Sequence, residues 1–430
     1  MMSPQERSLY RKVNWRLLPI LFVCYLINYI DRVNISFAEL TMSKSLDMAE
    51  AAYGLGAGLF FIGYFACQVP SNLLLHRFGA RRWIGIIIFA WGLISASTAF
   101  VQNEWHFYTI RFVLGAAEAG FFPGVILFLT WWYPTAIRAR IVALFLTAIP
   151  VAGLLGGPLS GWIMHHFQGK GLEGWQWLFI VEGLPCLAVA FWVWKGLVDR
   201  PREAGWLNDE EKSLIENLQR SEAEARARQG APDKASGALR MPVVWLFCLL
   251  YFCTMMGLYG LSFWLPKLIK GLGWHNPLEI GLVSAIPWSI AVVFMIFWGA
   301  RSDRKSERRY HAGVAALIAA VGFAGCGFIH HSAGGLVALA LAAAGVMGLM
   351  AVLWAMPGAL LNGAAAAVGI ALINSCGNLG GFVSPFVIGW LTETTRSNAG
   401  GQYLTAAFLS LAAVLLFSLK FLSPRPEAQK

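Results

Sequence analysis

The sequence predicts an all-α membrane protein of twelve transmembrane helices in two pseudo-symmetric six-helix bundles. Three observations predict it. The 430 residues are 57% hydrophobic and only 13% charged, with a mean hydropathy of +0.59, against about 25% charged residues in a typical soluble domain. The apolar residues gather into twelve runs, near 17–38, 54–75, 83–102, 107–130, 141–164, 177–197, 242–265, 279–300, 311–330, 335–358, 365–390 and 402–422. Each run approaches or exceeds the roughly 20 residues that cross a hydrocarbon core of about 30 Å. A polar stretch, 199–240, parts six runs from six.

The first run follows a basic start, Ser3 to Arg16. It is too long for a signal-peptide core and lacks a small-residue cleavage site, so it reads as a retained span. The next five runs carry many Gly and Pro residues, which membrane helices tolerate. Residues 199–240 open with Asp199-Arg200-Pro201-Arg202 and continue through Asp209-Glu210-Glu211-Lys212, the pattern of a polar, partly helical linker. The expected organisation is therefore an N-terminal bundle over 1–198, a cytoplasmic linker over 199–240 and a C-terminal bundle over 241–430. Runs nine to eleven lie in the plainest membrane sequence, with no Asp, Glu, Lys or Arg between Arg309 and Glu393.

The net charge of +10 belongs to this topology. With the N-terminus in the cytoplasm, 26 Lys and Arg fall on the cytoplasmic side, 5 on the outer side and 2 within spans, a strong positive-inside bias. Both termini are expected in the cytoplasm. Nucleic-acid binding would need a basic domain outside the membrane, and the acids of 199–240 nearly balance its bases. All seven cysteines lie in predicted spans without metal-ligand spacing and read as packing residues. No cofactor motif, metal set or nucleophile–base arrangement points to an enzyme. The one glycosylation sequon, Asn34-Ile35-Ser36, falls inside span one, which favours a bacterial inner-membrane protein.

The halves repeat. Gly54 and Gly281, and Arg77 and Arg304, are separated by 227 positions, while Gly153, Gly161 and Trp162 match Gly381, Gly389 and Trp390 at 228. A constant offset over several spans is the mark of a duplicated six-helix unit. The runs Gly153-x-x-x-Gly157-Pro158-x-x-Gly161 and Gly377-x-x-Gly380-Gly381 are small-residue faces for close helix contact.

Five charged residues sit at depth: Asp31, Arg32, Arg111, Glu118 and Glu182, all in the first half. Each charge at a bilayer centre costs at least about 2.5–3.5 kcal/mol, so these groups must face the interior and find partners. Arg111 and Glu118 are seven residues apart, two turns along one face and about 10 Å apart. That gap leaves room for a substrate or for charge from span one. Arginine is always charged and presents a planar fork to a carboxylate, so Arg32 and Arg111 are the expected anion-binding residues. Asp31 and Glu118 can be neutralised and are the expected proton carriers. Glu182, in Trp175-x-Trp177-x-Phe179-x-x-Glu182-Gly183, is expected to serve structure.

The chain resembles the major facilitator superfamily over its whole length. That family's signature loop is matched by Gly299-Ala300-Arg301-Ser302-Asp303-Arg304 after span eight, while the loop after span two departs, with Asn72 and His76 at the Gly and Asp positions. Within the superfamily it resembles the anion–cation symporters. The residues carrying this are Asn28-Tyr29-Ile30-Asp31-Arg32, Gly63-Tyr64-x-x-x-Gln68-Val69-Pro70, Arg111-x6-Glu118 and the stretch ending at Glu182. The resemblance implies a carrier of sugar acids, tartrate or aromatic acids, working as a monomer by alternating access. It implies substrate contacts from Tyr29, Tyr64, Trp354 and Asn374. Relatives that take sugar acids carry polar side chains in span five, where this chain reads Thr147-Ala148-Ile149-Pro150; that favours a smaller or more apolar acid. The expected function is proton-coupled import of a small organic anion. An anion exchanger or proton-driven antiporter is the alternative, since the Gly153 run also resembles an antiporter motif.

Overall fold

A computed structural model of the protein describes residues 3–169, 171–228, 241–329, 331–357 and 363–418. Twelve helical spans cross in succession: Pro4–Ser45, Glu50–Leu75, Ala80–Phe100, Glu104–Trp132, Arg140–His166, Gly174–Gly196, Pro242–Gly271, Pro277–Lys305, Arg309–Phe328, Ser332–Leu353, Gly369–Thr395 and Ala399–Ser418. No strand occurs among the described residues. Lengths and order follow the apolar runs, with one marked difference at the start. The first helix begins at Pro4, because Ser3 caps it: its side chain accepts from Glu6 N while Glu6 accepts from Ser3 N. The capping box and the Pro at the first helical position start the helix well outside the apolar run. The extension carries Tyr10 and Val13 into the core.

Spans one, four, five and six are each broken near mid-depth, at Asn34, Ala119–Gly120, Thr147 and Leu184. The second pieces of spans four, five and six contain Pro123, Pro150 and Pro185 within their first three residues. Proline lacks the N–H that would close the preceding turn. At Asn34 the backbone stays right-handed (φ −58°, ψ −31°), so the two pieces of span one follow one another.

The internal repeat reappears as paired helix contacts between the bundles. A Cβ built on Gly54 would lie 2.3 Å from Pro385 O, and one on Gly281 would lie 2.4 Å from Gly157 O. These are one contact seen twice, since 227 positions carry Gly54 to Gly281 and 228 carry Gly157 to Pro385. The same relation links the contact of Gly389 with Glu50 to that of Gly161 with Pro277, and Gly381 on Phe61 to Gly153 on Trp288. Spans two and eleven, and five and eight, therefore pack backbone to backbone along small-residue faces.

All these contacts lie towards the end remote from the linker. There Lys267 of span seven bonds Glu39 at 3.3 Å and also Glu50, Lys270 donates to Leu40 O, and Ala51 N donates to Glu393. Towards the linker the same stripe of span two is uncovered, with Phe65, Val69 and Leu73 at 51–68% exposure. The bundles converge at one end and part at the other.

The linker contributes a helix, Asp209–Arg228, seated on the first bundle. Lys12 pairs with Glu211 at 2.8 Å, Trp206 stacks on Trp132, and Gln219 donates to Trp131 O. The departure in the first signature loop is compensated nearby: Asp199 accepts from Arg81 N at 2.7 Å, capping span three from the end of span six.

Lys267 holds two carboxylates of the first bundle. Removing it leaves Glu39 buried without its partner, which disfavours the closed end. Lys267→Gln is expected to lengthen spin-label distances between residues 46 and 272. A shift of about tenfold in conformational population corresponds to about 1.4 kcal/mol. The check is double electron–electron resonance on labelled pairs with and without the substitution.

Candidate functional site

The five charged residues of the first bundle are drawn together where spans one, three, four and six meet. Span one presents Asn28, Asp31, Arg32 and Asn34; span four presents Arg111 and Glu118. Close approach of spans two and four sets this face, since a Cβ on Gly115 would lie 1.8 Å from Phe60 O. Only a residue without a side chain lets Phe60 reach between Arg111 and Glu118.

Glu118 is wholly buried and makes the site's one direct ion pair among the described residues. Arg32 Nη2 reaches its Oε2 at 2.8 Å, and Asn28 Nδ2 donates to the same oxygen at 2.8 Å. Arg32 Nη2 also contacts Asn28 Oδ1 at 3.3 Å. The charge from span one thus fills the gap beside Glu118 that the seven-residue spacing left open. Asp31 behaves otherwise. Adjacent residues on a helix project about 100° apart, and Asp31 points to span three, where Ser95 Oγ donates to its Oδ1; Asn34 Nδ2 donates to the same oxygen at 3.3 Å. Asp31 Oδ2 and Glu118 Oε1 have no hydrogen-bond partner.

Arg111 is 1% exposed, and its Nε and Nη2 have no partner. Its guanidinium instead lies 5.1 Å from the Phe60 ring centroid, and that of Arg32 lies 5.0 Å from the same centroid. One ring therefore stands against both cations. Its π-face attracts each of them, by about 0.5–2 kcal/mol.

Of the other expected residues, Tyr64 and Tyr29 belong to the first bundle and Trp354 and Asn374 to the second. Tyr64 packs 5.6 Å from Arg32. Tyr29 contacts Ser262 of the second bundle, oxygen to oxygen, at 3.4 Å. Trp354 follows the end of span ten, half-buried, with its ring 4.8 Å from that of Tyr251. Asn374 is half-buried in span eleven, one turn before Gly377, which packs on the Tyr251 ring. Tyr251 thus joins the two second-bundle positions to one another. In span five, Thr147 spends its hydroxyl on Leu144 O at 2.6 Å, and Ala148, Ile149 and Pro150 are buried.

Sequence reasoning missed Asn28, Phe60, Ser95, Tyr251 and Tyr259. Asn28 was within reach, being one turn before Arg32. Tyr259 carries a subtler signal: it is the 227-position counterpart of Arg32, and its phenol faces the Arg32 guanidinium across the bundle interface. Its ring lies 4.5 Å from Phe61. Nothing in the local sequence of Phe60 marks it.

Residues 21–385 match the Major Facilitator Superfamily. The chain belongs to that superfamily. As a member it is a multi-pass membrane transporter and not an enzyme. It is 43% identical to a putative tartrate transporter of Agrobacterium vitis over 98% of this chain and 93% of that protein. It is 42% identical to a quinolone resistance transporter of Acinetobacter baumannii over 96% of this chain and 94% of that protein. A solved bacterial homologue of the human lysosomal transporter Spinster, inward-facing and occupied, shares the fold with a TM-score of 0.76 at 16% identity. The likeness covers 94% of this chain and 96% of that one.

In this transporter the shared ring gives a direct test. Phe60→Leu keeps the volume and removes the π-face from both arginines, and is expected to weaken anion binding about tenfold, as loss of about 1.4 kcal/mol would. Phe60→Tyr is expected to spare it. Ligand-induced thermal stabilisation, titrated with tartrate, measures both.

Proposed function

We propose that this transporter is a proton-coupled symporter importing a small organic anion, a hydroxy acid such as tartrate or galactonate or an aromatic acid. The observation that carries this reading is Arg111: a buried guanidinium with two unpartnered donor atoms, beside a second arginine held by the Glu118 carboxylate. A substrate carboxylate supplies the bidentate acceptor that Arg111 lacks. The name of the relative at 43% identity, a putative tartrate transporter, supports the same class.

In the proposed cycle Glu118 takes a proton while the site faces outward. Its Oε2 then no longer holds Arg32, and both arginines turn to the anion. Asp31 takes up a further proton, so the loaded site carries less charge and the bundles close over it. Tyr29, Tyr64, Trp354 and Asn374 contact the bound acid. After the bundles rock, the anion leaves, the carboxyl groups lose their protons to the cytoplasm, and Arg32 re-forms its pair with Glu118. Residues 1–198 and 241–430 act as the rocking bodies, joined by the 199–240 linker. The chain acts as a monomer in the bacterial inner membrane with both termini cytoplasmic. The parted end, where the linker lies, is then the inward opening.

The resistance-named relative at 42% identity favours a second reading, proton-driven export or exchange. Direction separates the two. In proteoliposomes under an inward proton gradient, import predicts tartrate accumulation inside the vesicle, and antiport predicts expulsion of preloaded tartrate. Glu118→Gln is expected to lose gradient-driven accumulation and retain tartrate exchange. Accumulation at the wild-type rate in that variant overturns the coupling role.

A further inference from the structure

Glu182 is the buried charge that the proposed cycle leaves unused. It sits on span six, two residues before the break at Leu184, and is 5% exposed. Ser160 Oγ of span five donates to its Oε1 at 2.7 Å, while its Oε2 has no partner. A purely structural carboxylate at this depth would have both oxygens satisfied, because a buried unpaired acceptor is costly. Asp31 repeats the same pattern, with Ser95 on one oxygen and nothing on the other. Between the two acids stands Asn34 at the break of span one, fully buried. Its amide donates to Asp31 and adjoins Glu182, and its own Oδ1 is unpartnered. Three buried acceptor oxygens, from two acids and one amide, therefore lack a hydrogen bond of their own where spans one and six face each other, with the Asn34 amide in reach of both acids.

The other groups around this cluster do not supply the missing donor. Arg32 is bonded to Glu118, and Arg111 and Glu118 lie within electrostatic range of Asp31 without a hydrogen bond to it. Span three contributes Ser95 and Trp91, the latter bonded to Cys186 Sγ. Span five contributes Ser160, and on span six the Cys186 thiol donates to Glu182 O. Asp31 and Glu182 act on one another electrostatically across Asn34, and two buried carboxylates so coupled do not both stay ionised.

We propose that Asp31 and Glu182 share one proton beside the Asn34 amide, which makes Glu182 a third titratable member of the coupling machinery. The proton comes from bulk water and resides on either carboxyl group, so that one member of the pair is neutral and the other anionic. The inference rests on the proton-coupled reading for its role in transport, though the shared proton itself does not depend on it. Asp31 then exchanges its proton with Glu182 on one side, and its anionic form faces Arg111 on the other.

Infrared spectroscopy of the purified full-length protein tests this without any substrate. At neutral pH the wild type is expected to show a protonated-carboxyl carbonyl band. Asp31→Asn and Glu182→Gln are each expected to lose it, because the remaining acid, freed of its like-charged neighbour, ionises. Ser160→Ala, which keeps both acids, is expected to retain the band at a shifted frequency. Persistence of the wild-type band in Glu182→Gln, or an unmoved band in Ser160→Ala, overturns the proposal. So does loss of the wild-type band when potassium is exchanged for sodium at fixed pH, which would make the cluster a sodium site. Absence of proton-driven transport with the band behaving as expected would refute the symport reading and leave the shared proton standing.

Discussion

The contact between Arg32 and Glu118 is the interaction on which the rest of the first bundle turns. Neither group can be left alone at this depth, since removing one partner of a buried pair costs about 3–5 kcal/mol. The pair fixes the rotation of span one against span four. That rotation sends Asp31, the next residue along, away from the arginines and into the seam with spans three and six. It also brings the Arg32 guanidinium against Phe60 and towards Tyr259 of the second bundle. One ion pair thereby sorts the acids into two kinds: Glu118, held by a cation, and Asp31 with Glu182, held by serine hydroxyls. On the proposed mechanism Glu118 links its proton to the anion through Arg32, and the second kind carries protons without a cation partner.

The second constraint is the symmetry of the helix contacts between bundles. Spans two and eleven touch through the same positions as spans eight and five, related by the internal repeat. Backbone contact at glycines offers little side-chain interlocking, so these pairs can pivot as rigid rods while the site between them changes access. The Lys267 cluster and Ala51 N–Glu393 bond then set which end is closed. The charges at depth thus lie in one bundle, while the contacts between bundles are made by glycines and, at the closed end, by Lys267 and Glu393.

Much of this was legible in the sequence because membranes make charge conspicuous. Asp31, Arg32, Arg111 and Glu118 stand out in spans free of most other ions, and the glycines that share the repeat offset are those at the contacts between bundles. Partners were harder to read. That Arg32 belongs to Glu118, and that Asp31 belongs to Ser95, depends on the rotation of span one, which spacing within a single helix cannot reveal. Phe60 is one apolar residue among many, and its place against two guanidinium groups exists only after Gly115 lets spans two and four approach. Glu182 was seen but read as structural, since its unsatisfied oxygen is a property of the folded bundle. The helical start at Pro4 lies outside any hydropathy signal; it was encoded in the Ser3–Glu6 capping box.

On the proposed mechanism the anion and the Glu118 carboxylate compete for Arg32, so protonation of Glu118 and binding of the anion go together. Calorimetric titration of tartrate into the purified transporter, repeated in buffers of different ionisation enthalpy, counts the protons taken up as the anion binds. The account predicts net proton uptake with each tartrate bound near neutral pH, reduced in Glu118→Gln. Tight binding to the wild-type protein with the same heat in every buffer, and hence no proton uptake, would contradict it.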